Sequence, residues 1–156
     1  MKAEKRVELR WQGDLAQGKG VVMAASSGQL VGQRLSWQGR TALRERETSP
    51  EELLAAAHAG CFAMGLSDAL SKAGVSARHL DVTATVTFEQ NEGGWSIVSS
   101  HLDVVASAPG IDELGFAALA ASAKDNCPVS RALHGNVAIS IDATLSAQDM
   151  AAAAGP

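Results

Sequence analysis

In the first third of the chain, apolar residues alternate with polar ones. Val7, Leu9 and Trp11 are separated by single polar residues, so residues 6–11 are predicted to form a strand with one face on a core. Gly13-Asp14 breaks the run, and Gly18-Lys19-Gly20 leads into a second apolar stretch at Val21-Val22-Met23. Ser26-Ser27-Gly28 is a turn cluster, followed by a third apolar and β-branched stretch over residues 29–35, continued through 35–37. Together these segments read as a small antiparallel sheet.

The period changes at Ser49. Ser49-Pro50-Glu51-Glu52 combines an N-cap serine, a proline at the first helical position and a glutamate three residues after the cap. A helix is therefore predicted from here to about Ala73, with Gly74 ending it. Residues 53–66 are apolar on every face apart from His58, which predicts a central helix enclosed by protein. Ala55, Ala59 and Gly60 are small enough to admit a close neighbour, and polar residues return at Ser67, Asp68, Ser71 and Lys72.

Alternation resumes over residues 81–89, with Val82, Ala84, Val86 and Phe88 on one face and Thr83, Thr85 and Thr87 on the other. Residues 91–94 supply a turn, and 95–108 pair back as a long strand whose phase slips between Ile97 and Leu102, the sign of a β-bulge. Residues 112–125 read as a second helix with Leu114, Ala117, Ala118 and Ala121 inward, and Cys127-Pro128 opens a short third helix through Leu133. Residues 137–145 form the last strand, and the Ala-rich end, 146–156, is expected to fray. The order β-β-β-α-β-β-α-α-β, with strands and helices in blocks, is α+β rather than a wound parallel sheet. A single domain is expected, with N-terminal strands over 1–48, the central helix over 49–74 and the second sheet and remaining helices over 75–145.

Composition narrows the function. The 156 residues are enough to bury a core without disulfides or metal. A net charge of -4 with dispersed Lys and Arg argues against a nucleic-acid partner. The longest apolar run is interrupted by His58 and is shorter than a membrane span, so no membrane partner is expected. No apolar stretch follows the basic N-terminus, which makes the cytoplasm the expected location. Gly13-x4-Gly18-Lys19 is not a phosphate loop, since Gly20 stands where Ser or Thr is required.

Two cysteines in a reducing compartment are expected to be free thiols. Cys61 lies mid-helix among apolar residues, where burial raises its pKa, and it needs a cation or donor from elsewhere to act as a nucleophile. Cys127 is at the N-cap of a helix whose first residue is Pro128, where unpaired N–H groups favour the thiolate. The two are either separate core residues or a pair that meets. His58, one turn before Cys61, permits a metal reading with Cys61, Cys127 and His134. Mid-helix ligands make a core histidine with one backbone or water partner the stronger reading. Trp11, Trp37 and Trp95 read as core or interface residues, and Phe62 and Met64 as candidate pocket lining.

Pro50-Glu51-Glu52-Leu53, His58-Ala59-Gly60-Cys61-Phe62 and the distant Cys127-Pro128-Val129-Ser130 together resemble the OsmC/Ohr family of thiol peroxidases, and its osmotically inducible branch in particular. Trp11-x-Gly13-Asp14, Gly18-Lys19-Gly20 and Pro109-Gly110-Ile111 extend the likeness from about residue 7 to 145. The resemblance implies the OsmC/Ohr fold, antiparallel strands on a central buried helix, and an intertwined homodimer with active sites at the interface. It implies that Cys61 attacks an organic hydroperoxide and becomes a sulfenic acid, that Cys127 condenses with it to a disulfide, and that a dithiol, in the family's usual case of lipoyl type, restores both. It further implies an arginine that stabilises the thiolate and a glutamate that holds it. The glutamate matches Glu51; Gly39-Arg40-Thr41 supplies the best-matching arginine, Arg40, with Arg44 and Arg46 nearby. No metal or organic cofactor is implied. A non-enzymatic redox switch, or a binder of small hydrophobic ligands on the same fold, is the alternative.

Overall fold

A computed structural model of the protein describes residues 1–42 and 46–146, and the chain divides into two compact units, Met1–Leu53 and the residues from Leu54 onward. The tail expected to fray therefore lies outside the described residues, apart from Ser146.

The first unit holds β1 (Val7–Gln12), β2 (Lys19–Ala25) and β3 (Arg34–Ser36), antiparallel in the order β1-β2-β3. The alternation of Val7, Leu9 and Trp11 does mark a strand, but its expected burial is not met: these residues are 51%, 48% and 40% exposed. The third strand is also shorter than expected. Residues 28–33 close local turns, with Val31 N–H donating to the Gly28 carbonyl and Gln33 N–H to that of Leu30. Those bonds take up the groups a longer ladder would use. The segment expected to continue this strand instead turns into a short helix, α1 (Trp37–Thr41), capped by Ser36 Oγ, which accepts from Gly39 N–H at 3.0 Å.

Helix α2 (Pro50–Lys72) starts as its sequence predicts, Ser49 Oγ accepting from Glu52 N–H at 3.1 Å. In the second unit follow β4 (His79–Asn91), β5 (Gly94–Ser107), α3 (Glu113–Asn126), α4 (Pro128–Leu133) and β6 (Ala138–Leu145). The sheet order is β4-β5-β6. β4 and β5 pair antiparallel, with the register shift opposite Ile97 and Ser99 where the phase slip placed a bulge. β6 is parallel to β5, from Ser99↔Ala138 to Ala106↔Leu145. The sheet is thus mixed rather than wholly antiparallel, because the chain between β5 and β6, with α3 and α4, is long enough for the crossover a parallel pair needs.

The core of this unit joins Phe62, Leu66 and Leu70 of α2, Leu102, Val104 and Ala106 of β5, Phe116, Ala120 and Ala123 of α3, Leu145 and Cys127. On α2 the fully buried positions His58, Phe62, Leu66 and Leu70 recur every four residues, a single stripe. The helix is long and apolar enough to cross a membrane, with a mean hydropathy of 1.4, yet its buried stripe is part of this core. Its expected enclosure on all sides is not found in the chain: Ala56, Ala57, Gly60 and Met64 are exposed, Met64 at 71%. On α3 the expected inner stripe is out of phase. Phe116, Ala120 and Ala123 face inward, while Leu114 is 82% exposed, because the bulky Phe116 and the Asp112 cap set the helix rotation.

Candidate active site

Two clusters of the expected site residues form, one in each unit. In the second unit, Cys61 on α2 and Cys127 at the start of α4 lie so close that each thiol affects the other's ionisation. Both are free. Cys127 is the more enclosed, 1% exposed, whereas Cys61 is partly exposed, the reverse of a dry Cys61 pocket. Burial raises the Cys61 pKa; the Val129 N–H pulls it back and the neighbouring Cys127 raises it further, leaving it above the ordinary thiol value. Burial also raises Cys127, but the Ser130 N–H, the Cys61 thiol, the Ser130 hydroxyl and the Val129 N–H outweigh it, and the net direction is down. Pro128 at the first helical position leaves Val129 and Ser130 as the N–H groups near the sulfur.

His58 lies behind this pair, fully buried. Its Nδ1 is 2.7 Å from Ser100 Oγ and its Nε2 is 2.8 Å from Ser130 Oγ. The expected single backbone or water partner is replaced by two serine side chains, and with both ring nitrogens occupied His58 has no lone pair for the metal set read with Cys61, Cys127 and His134. Burial pushes its pKa down, so the ring is held neutral. Ser100 and Ser130 were not among the expected site residues. Ser130 ends the Cys127-Pro128-Val129-Ser130 motif and was discoverable there; Ser100 is 42 residues from His58, with no local signal.

In the first unit, Arg40 of α1 meets Glu51 in the first turn of α2. Arg40 Nε lies 3.1 and 3.2 Å from the two carboxylate oxygens, and a terminal guanidinium nitrogen is 2.6 Å from Oε1. Such a fork is the geometry that a lysine cannot reproduce. The guanidinium also lies 5.6 Å from the centroid of the Trp37 ring, which gives this tryptophan a place beside Arg40. Of the two other candidate arginines, Arg46 is exposed and Arg44 lies outside the described residues.

Phe62 is fully buried core rather than pocket lining, and exposed Met64 borders a shallow groove with Ser67 and Asp68. A cleft of about 340 Å³ is bordered by Cys127, Pro128, Gly65, Asp68, Lys72 and Asn126, so its lining is mixed polar and apolar. Trp95 stacks on Phe88 at 4.8 Å.

The chain is thus α+β, with a close pair of free thiols, one of them at a helix start. The family model described as OsmC-like protein matches residues 43–142, and the chain belongs to that family. It is 37% identical to a protein named peroxiredoxin OsmC from Escherichia coli strain K12, over 89% of this chain and 96% of the relative. A protein named organic hydroperoxide resistance protein, from Xanthomonas axonopodis pv. citri, is 30% identical over 60% of this chain and 65% of its own. Among solved structures, an organic hydroperoxide resistance protein OsmC from Legionella pneumophila superposes with a TM-score of 0.71 at 24% identity, covering 92% of this chain and 99% of the other. OhrB of Bacillus subtilis gives 0.70 at 23% identity, covering 89% and 98%. These two structures establish the OsmC/Ohr fold.

Proposed function

We propose that the protein is a thiol peroxidase that reduces organic hydroperoxides to alcohols in the cytoplasm, with Cys61 attacking and Cys127 resolving. The observation that carries this reading is the meeting of two free thiols from α2 and α4, with Cys127 favoured as a thiolate. The relatives named peroxiredoxin OsmC and organic hydroperoxide resistance protein support a peroxidase-type oxidoreductase. The Cys61 thiolate takes the terminal oxygen of the hydroperoxide, giving Cys61–SOH and an alkoxide that is protonated to the alcohol. The Cys127 thiolate then attacks the Cys61 sulfur, forming the disulfide and releasing hydroxide. A dithiol of lipoyl type reduces the disulfide and leaves as its own disulfide, so two electrons and two protons return to the pair.

Cys61, raised by burial, needs positive charge to ionise; Arg40, held by Glu51, is its proposed source. All electrons come from thiols, so the cycle closes without a metal or organic cofactor. A homodimer is proposed as the working form, because the exposed stripe of Ala56, Ala57, Gly60 and Met64 on α2 suits a second copy of the chain.

The test is stopped-flow thiol loss in the reduced protein, with an alkyl hydroperoxide against hydrogen peroxide. Wild type is expected to lose both thiols rapidly with the alkyl substrate, Cys127→Ser to stop at a Cys61 sulfenic acid, and Cys61→Ser not to react. Arg40→Ala should slow the first step by about 10²-fold, the usual loss on removing one aligned charge donor. Wild type that keeps both thiols defeats the peroxidase reading and restores the redox-switch alternative.

A further inference from the structure

We propose that Lys19 and Glu47 are positioning residues for Arg40: their ion pair seats the backbone of residues 47–48 against Gly39 and so aims the Arg40 guanidinium at Glu51. All of these residues belong to the first unit. Lys19, the first residue of β2, brings its Nζ to 2.7 Å from Glu47 Oε2, and Nε of Arg34 on β3 stands 3.9 Å from Oε1. The Glu47 side chain is only 14% exposed. Its bond from Lys19 holds the carboxyl below the usual carboxylate range, so Glu47 is ionised at neutral pH. The next residue is fixed by its backbone, Thr48 N–H donating to the Arg34 carbonyl at 2.9 Å. Residues 47–48 are thus anchored twice, by a side chain to β2 and by the main chain to β3.

Both halves of the Arg40–Glu51 fork rest on this anchored segment. Glu51 follows it at once, in the first turn of α2. Arg40 leans on it through Gly39, where a Cβ would stand 2.9 Å from the Thr48 carbonyl oxygen and 3.1 Å from that of Glu47. Only glycine allows so close a backbone approach. A shift of residues 47–48 therefore displaces α1 relative to the start of α2.

α1 is held a second time by the loop between β1 and β2, where Gln38 Nε2 donates to the Ala16 carbonyl at 2.6 Å. That loop is closed by Gly18 N–H on the Asp14 carbonyl and Gln17 N–H on Asp14 Oδ1, both at 2.8 Å. Gly18 is required there, since Trp11 Nε1 would stand 2.7 Å from a Cβ. Trp11-x-Gly13-Asp14 and Gly18-Lys19-Gly20, which no step of the proposed cycle uses, thereby acquire a role. They seat the helix that carries Arg40.

A half-exposed ion pair adds little to stability, so its loss falls on the placement of Arg40 rather than on unfolding. The use of this seat in turnover rests on the proposed peroxidase reading; the seat itself does not, and the test has two arms. The first uses no peroxide and follows solvent exchange of the Arg40 Nε–H by its nitrogen-15 signal. Lys19→Met and Glu47→Gln should speed this exchange about tenfold, as expected when a hydrogen bond to a charged group is weakened, and Lys19→Arg should keep it near wild type. The second arm is the rate of thiol loss with an alkyl hydroperoxide. The same two variants should slow it about tenfold, and should slow it no further in an Arg40→Ala background, because they act through Arg40. Unchanged Arg40 exchange in folded Lys19→Met overturns the proposal, whatever the variant does to stability. Faster exchange with unaltered thiol loss upholds the seat and defeats the role of Arg40 in the peroxidase reading. Lys19 is half-exposed, so Lys19→Met keeps both arms open should Glu47→Gln fail to fold.

Discussion

At the scale of single residues, burial and partner decide what each titratable group does. His58 is kept neutral by burial, so its folded pKa lies below the ordinary histidine value of about 6.5. With a depressed folded pKa, its contribution to stability is present above the unfolded value and is lost as pH falls through the folded one. Unfolding by denaturant should therefore show constant stability above about pH 6.5 and a decline at lower pH, where the unfolded histidine takes up a proton that the folded one refuses. Glu47, lowered chiefly by its hydrogen bond from Lys19, adds its own loss only below about pH 4.3, the ordinary glutamate value. Stability unchanged between pH 7.5 and 5.5 would contradict the burial argument for His58. The identities of Cys61, Cys127, Arg40 and Glu51 as candidates were legible in the sequence motifs. The serines that hold His58 were not, because a serine carries no local mark of a partner dozens of residues away.

At the scale of elements, the signals that served best were those written over a few neighbouring positions. The Ser49-Pro50 start of α2, the alternation along β4 and β6 and the bulge of β5 all appear where their sequences place them. α1 was missed because five residues are fewer than a helical period needs to declare itself. It matters nonetheless, since it carries Arg40 to Glu51. Gly39 makes that approach possible: a Cβ there would stand 2.9 Å from the Thr48 carbonyl oxygen and 3.1 Å from that of Glu47. Gly39→Ala should accordingly destabilise the protein by about 1–3 kcal/mol through overpacking, although alanine alone would favour a helix by roughly 0.5–1 kcal/mol. Chemical denaturation checks the sign, and a stabilised variant would show that the 47–48 backbone yields easily. The same displacement should loosen the Arg40–Glu51 fork and slow thiol oxidation.

At the scale of the whole molecule, the exposed apolar positions are the main departure from what the patterns promised. Val7, Leu9 and Trp11 on β1 and Met64 on α2 have the sequence character of interior residues, yet stand open in the single chain. The proposed association with a second copy would satisfy both expectations. Met64→Asp should convert a dimer into a monomer in sedimentation velocity and lower peroxide turnover. A monomeric wild type would end the dimer proposal and leave the apolar stripe unexplained. What the sequence alone determined was the α+β class, the span of α2, the faces of β4 and β6 and the residue types able to do thiol chemistry, because these depend on periods and caps set within a few residues. Tertiary structure decided which side of α2 is buried, the parallel placement of β6, the contact of Cys61 with Cys127 and the bonds from His58 to Ser100 and Ser130, across 42 and 72 residues. Those contacts arise when separate elements pack into one core, and no local period along the chain encodes them.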